Sequence, residues 1–153
     1  EQESKINITF NIDSDDLECD ADPGRIRQII HNLVRNSIEA IPEDIAGKIS
    51  VSVKKCDINN IKMIEICIED NGSGFDKNSL GQIFDPYVTS KSKGTGLGLA
   101  IVKKLVEEHM GFIEAENAKK QGAIIKIFMP ENEEMRERMI SSFKHKKDNG
   151  VHS

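Results

Sequence analysis

The sequence predicts an α+β fold, a two-layer α/β sandwich with helices covering one face of a sheet. Three observations predict it. Apolar residues alternate with polar ones in three separate stretches, the mark of strands with one solvated face. Two further stretches carry apolar residues at helical spacing, and clusters of turn formers divide all of these from one another. A sheet with one wet face must bury the other, and the two amphipathic helices are the segments able to cover it.

The first strand is read from Ile6, Ile8, Phe10 and Ile12. A long helix follows, with Ile26, Ile29, Ile30, Leu33, Val34, Ile38 and Ile41 on one side, Asp22 and Pro23 at its start and Pro42 at its end. Ile49, Val51 and Val53 mark a second strand, and Ile64, Ile66 and Ile68 a third. From Asp76 to Thr95 no period holds, so this span reads as a loop with one short helix near Leu80 to Phe84. A second helix begins near Gly96, turns Leu97, Ile101, Val102, Leu105 and Val106 inward, and stops at Gly111. The runs "FIEAE" from Phe112 and "IIKIFM" from Ile124, joined by "NAKKQG", form a closing hairpin. Residues 1–130 are thereby expected as one domain, and residues 131–153 as a charged tail able to begin as a helix, with no catalytic role.

Composition narrows the function. The 153 residues suffice for one domain with a core of its own, and 37% hydrophobic with 31% charged residues is a globular balance. A net charge of -5, 5% aromatic residues and no Trp argue against a nucleic-acid surface. Cys19, Cys56 and Cys67 are odd in number and lack CxxC spacing, so neither a disulfide framework nor a zinc site is expected. With no apolar run of membrane-spanning length and no leader in "EQESK", the expected location is cytoplasmic, without membrane contact by this domain, although a parent protein can be membrane-anchored.

The stretch "KGTGLGLAIVKKLVEEH" opens at Lys93 with three glycines in five positions. It is no P-loop, because Gly98 is followed by Leu99 and Ala100 where Lys and Ser or Thr are required. A dinucleotide fingerprint also fails: Gly94, Gly96 and Gly98 are spaced GxGxG, and "DPYVTSKSK" before them is no buried strand. What remains is a polar segment, a glycine hinge and a helix N-terminus, which suits an anion. On the long helix, Asn32 and Asn36 project about 40° apart, one turn above the other. Directly off the third strand comes "EDNGSGFD", where Asp70 is placed to accept from an exocyclic amine and Gly72 and Gly74 clear room for a flat base. Taken singly, the Asn pair reads equally as solvated helix surface and the turn as a plain Asn-Gly turn.

In order, the helix Asn pair, "DNGSGF", "FDPYVTSK" and "GTGLGLAIVKKLVEEHMG" resemble the N, G1, F and G2 boxes of histidine kinase ATP-binding domains. These belong to a wider group with gyrase, Hsp90 and MutL ATPases. The resemblance covers Ile6 to Pro130, and within the family the wording is most similar to nitrogen-regulation kinases of the NtrB and especially NtrY type. It implies a Bergerat-type fold with a mixed sheet, and ATP and Mg²⁺ as cofactors. By the resemblance Asn36 is the Mg²⁺ ligand, Asn32 and Lys91 contact phosphates, and Asp70 binds the adenine amine, with Gly74 and Phe75 shaping the base pocket. Residues 76–95 become an ATP lid anchored by Phe84 and Tyr87. Gly94 and the run Thr95, Gly96, Leu97, Gly98 and Leu99 offer backbone N–H groups to the phosphates. Two departures stand out: Ala123 follows Gly122 where the family often has Thr, and "HMG" at 109–111 replaces "HGG".

Relatives that hydrolyse ATP, and the anti-sigma serine kinases, carry a Glu one turn before the metal-binding Asn. Here that position is Asn32, which cannot act as a general base. The implied reaction is transfer of the γ-phosphoryl group to a histidine on an upstream dimerisation domain, with a response regulator as indirect partner. His31 lies inside the N box, is followed by Asn32 rather than an acidic residue, and reads as helix surface. The alternatives are a free-standing anti-sigma-type serine kinase, disfavoured by Asn32, and a regulatory nucleotide-binding module without transfer activity, in which Asn36 or the glycines would be missing.

Overall fold

A computed structural model describes residues 5–12, 19–85 and 98–150, with side chains placed up to residue 144. The order of elements is β1 (Ile6–Ile12), α1 (Pro23–Ala40), β2 (Gly47–Ile58), β3 (Ile61–Asp70), a 3₁₀ turn (Leu80–Gln82), α2 (Gly98–Glu108), β4 (Phe112–Asn117), β5 (Ala123–Pro130) and α3 (Glu133–Gly150). One sheet runs β1-β2-β3-β5-β4. It is mixed: β1 pairs parallel with β2, while β2 with β3, β3 with β5 and β4 with β5 are antiparallel.

The register explains the core. Val51 stands opposite Ile68 and Val53 opposite Ile66, and Ile66 and Ile68 in turn face Ile127 and Ile125. One row of branched side chains thus crosses the sheet and meets Ile29 and Leu33 of α1 and Val102, Leu105 and Val106 of α2. Helix α1 begins where Asp22 accepts from the Gly24 N–H at 2.9 Å, with Pro23 in the first turn. It ends at Ala40, before Pro42, as expected.

The end of α2 departs from expectation in its physics. Gly111 donates to the Val106 carbonyl at 2.9 Å and Met110 to Glu107 at 3.0 Å, a Schellman closure. The left-handed residue is Met110, at φ 62°, and not Gly111. Gly111 is required for a different reason, since a Cβ there would stand 2.2 Å from the Phe128 carbonyl oxygen.

The second face of the sheet is partly covered as well. Met135 and Met139 of α3 pack with Ile61, Met63 and Phe128 in a separate apolar cluster. Asn132 caps this helix, accepting from Met135 N–H at 3.0 Å, and Arg136 ties it to Asp20 through the carbonyl oxygen at 2.9 Å. Farther along the same face, beyond the helix, Glu65 is buried and pairs with Lys54 at 3.3 Å.

Candidate functional site

The site is built where β3 leaves the sheet. Asn71 pins this exit to β2: its Oδ1 accepts from Lys48 N–H at 2.8 Å and its Nδ2 donates to the Ala46 carbonyl at 2.9 Å. Just before it, Asp70 is 6% exposed. Its Oδ1 accepts from Gly72 N–H at 2.9 Å and from Ala123 N–H at 3.2 Å, so the carboxylate is fixed by the turn that follows it and by the start of β5. The contact from Ala123 is donated by its backbone N–H, which any residue but proline supplies.

Glycines let three chain segments close around Asp70. A Cβ on Gly72 would lie 2.6 Å from the Ala40 carbonyl oxygen at the end of α1, which also accepts from Ser73 N–H at 3.1 Å. Gly74 adopts φ +76° and a Cβ there would meet Asn117 Oδ1 at 2.9 Å. Gly122 has φ +112° with its Cβ position 1.8 Å from the Asp70 carbonyl oxygen. The space at Gly72 and Gly74 is therefore occupied by protein groups, and their lack of side chains serves the closure of the turn.

Helix α1 carries the rest. Asn32 and Asn36 are half-buried on it, and Ser37 is buried. The first residue of α2 meets Asn36: a Cβ on Gly98 would stand 3.6 Å from Asn36 Oδ1. Along α1, Ala40 abuts the Asp70 turn and Asn36 abuts the α2 N-terminus, four residues or about 6 Å earlier. An acceptor carboxylate at one end and an amide beside a positive helix terminus at the other is a layout for a ligand with a polar base and an anionic tail. Phe75 packs against the main core, and Leu99 does the same from α2. His31 is exposed on α1. Lys91, Gly94, Thr95, Gly96 and Leu97, with Pro86, Tyr87 and Lys93, lie outside the described residues.

Sequence reasoning missed Asn117 and Gln121. Asn117 Oδ1 accepts from Phe75 N–H at 2.7 Å while its Nδ2 donates to the Phe75 carbonyl at 2.9 Å, and Gln121 Nε2 donates to the Gly72 carbonyl at 2.8 Å. These contacts span more than forty residues, so no local pattern announces them. Burial raises the thiols of Cys19, Cys56 and Cys67 above the ordinary range, which leaves them protonated and unsuited to nucleophilic chemistry.

Residues 21–133 match the family of histidine kinase-, DNA gyrase B- and HSP90-like ATPases. The chain belongs to that family. Among its relatives, a putative NtrY-like sensor histidine kinase of Rickettsia felis is 41% identical over 117 residues, 76% of this chain and 18% of the relative. The sensor histidine kinase ZraS of Klebsiella oxytoca is 38% identical over 127 residues, 83% of this chain and 26% of the relative. This histidine kinase catalytic domain thus spans about a quarter or less of the curated relatives it matches. Its fold superposes on the nucleotide-free catalytic domain of histidine kinase ThkA with a TM-score of 0.74 at 34% identity, covering 86% of this chain and 83% of that one. A second ThkA structure, in complex with the response regulator protein TrrA, matches with a TM-score of 0.64 at 30% identity over 82% of this chain and 34% of that one. The expected ATP-binding catalytic domain of a two-component sensor kinase, its α+β fold and its likeness to NtrY-type kinases agree with these findings. Among the described residues no helix is long and apolar enough to cross a membrane.

Proposed function

We propose that this domain holds Mg²⁺-ATP with its base against Asp70 and delivers the γ-phosphoryl group to a histidine presented by another domain of the same parent kinase. The observation that carries the reading is Asp70 itself, a buried carboxylate immobilised by two backbone N–H groups on one oxygen and set one helical turn along α1 from Asn36. Asp70 selects adenine by accepting from its exocyclic amine, beside the turn that carries Gly72, Gly74 and Phe75. The phosphates lie toward Asn32, Asn36, Gly98 and Leu99, and the reading adds Lys91, Gly94, Thr95, Gly96 and Leu97 to their contacts.

The donor set fits a small hard cation. Among the described residues no group of three or more His, Cys, Asp or Glu side chains gathers as a metal cage. Asn36 offers a neutral amide oxygen at the α2 N-terminus, which suits a Mg²⁺ that keeps phosphate oxygens and waters as its other ligands. When bound, Mg²⁺ neutralises charge developing on the phosphates. The chain's own part is positioning: the acceptor imidazole forms a bond to Pγ as the bond to the bridging oxygen breaks, and ADP leaves.

Asn32 stands where a general base would act on water, and an amide cannot take that proton at neutral pH. The purified domain is therefore expected to bind ATP and ADP with Mg²⁺ and to release little phosphate by itself. Titration calorimetry and a phosphate-release assay on the same preparation test this. Rapid multiple turnover without any partner would contradict it. We further place the catalytic unit in residues 1–130, on the cytoplasmic side, with residues 131–153 outside the chemistry and a response regulator reached only through the phosphorylated histidine.

A further inference from the structure

The adenine-side turn is held from outside by one hairpin. The connection between β4 and β5 supplies four hydrogen bonds to the segment 70–75: two from Asn117 to Phe75, one from Gln121 to the Gly72 carbonyl, and one from Ala123 N–H to Asp70 Oδ1. Gly122, between them, lies so close that a Cβ would stand 1.8 Å from the Asp70 carbonyl oxygen. The Asn117 pair has a distinct character. Its carboxamide presents a C=O and an N–H side by side to the N–H and C=O of a single residue, as a peptide unit does across a sheet. The backbone partners fix the orientation of the amide, because Phe75 N–H can only donate and Phe75 O can only accept.

We propose that Asn117 is a positioning residue for base recognition: by locking both backbone groups of Phe75 it holds the Asp70–Phe75 turn in the shape that accepts adenine. The inference rests on the reading of Asp70 as the adenine contact. Among natural side chains the alternatives are poor. Asp retains the acceptor and loses the donor, Ser is too short to reach both groups at once, and Ala removes both. Both groups of the Asn117 amide are spent on Phe75, so its action lies at the base end, while Gly98 meets Asn36 at the other.

The test separates the base from the phosphates by comparing Mg²⁺-ATP with Mg²⁺-tripolyphosphate, which carries the anionic tail and no base. Affinities are measured by calorimetry on the full chain for the natural sequence, Asn117→Ala, Asn117→Asp and Asp70→Ala. Asn117→Ala is expected to weaken ATP about tenfold, the effect of two hydrogen bonds shared between ordering and binding, and to leave tripolyphosphate within about twofold. Asn117→Asp is expected to fall between the natural protein and Asn117→Ala. Tripolyphosphate binding also reports that each variant is folded. Equal weakening of both ligands in Asn117→Ala shows a general structural role and overturns the proposal, as does unchanged ATP affinity. If Asp70→Ala loses the preference for ATP and Asn117→Ala does not, the inference on Asn117 fails while the adenine site stands. If the natural protein binds both ligands equally, the adenine reading fails and this inference falls with it.

Discussion

On the proposed reading, Asp70 concentrates the chemistry of base selection in one carboxylate. Its Oδ1 is already oriented by Gly72 and Ala123, so under that reading base selection costs little reorganisation. Asp70→Ala is expected to erase the preference for ATP over GTP, with a loss of about 1–3 kcal/mol in ATP binding, measured by competition between the two nucleotides. Unchanged preference would remove Asp70 from the base site. A different residue carries backbone strain: Met110 occupies the left-handed region that costs a non-glycine residue about 1 kcal/mol or more. Met110→Gly is therefore expected to raise stability by about 1 kcal/mol in urea denaturation without moving ATP affinity. The thiols, all pushed up by burial, should react slowly with iodoacetamide at neutral pH and faster only as pH rises beyond the ordinary thiol range. Rapid labelling of the folded chain at pH 7 would show that burial does not protect them.

At the scale of elements, legibility followed the range of the interaction that decides each feature. The alternation of Ile64, Ile66 and Ile68 and the helical spacing of Ile29 and Leu33 state their own burial, because each reports on a face repeated within a few residues. Asp22 and Pro23 announced the start of α1 for the same reason. Asn117 and Gln121 were silent because their partners lie across the fold. Helix α3 was faint for another reason: among its described side chains the buried stripe is Met135 and Met139, set among charged residues. The matching signal sits elsewhere, in Met63 and Phe128, apolar side chains on the face that alternation assigns to water. Replacing Met135 and Met139 together by Ala is expected to destabilise the domain by several kcal/mol, at about 2–5 kcal/mol for each buried Met lost, with nucleotide affinity in the folded protein unchanged. A denaturation midpoint equal to that of the natural protein would mean that α3 does not shield this face in solution.

At the scale of the whole molecule, the sheet brings the Asp70 turn to the end of α1, and α2 starts beside Asn36 on the same helix. Order of motifs along the chain made the candidate site readable, since Asn36, the Asp70 turn and the start of α2 come together only in the fold. The sequence left out how they are fastened, and the β4–β5 hairpin supplies that fastening from the chain's other side. A domain that positions ATP without a general base, as proposed, is a donor that waits for an acceptor. The most direct measurement incubates the domain with γ-labelled ATP and Mg²⁺, with and without the parent kinase's own helical hairpin bearing a His followed by Glu or Asp. Label is expected on that histidine, stable to alkali and labile to acid, lost in Asp70→Ala at limiting ATP, with little free phosphate when the hairpin is absent. Fast phosphate release from the domain alone, with no label reaching the hairpin, would contradict it.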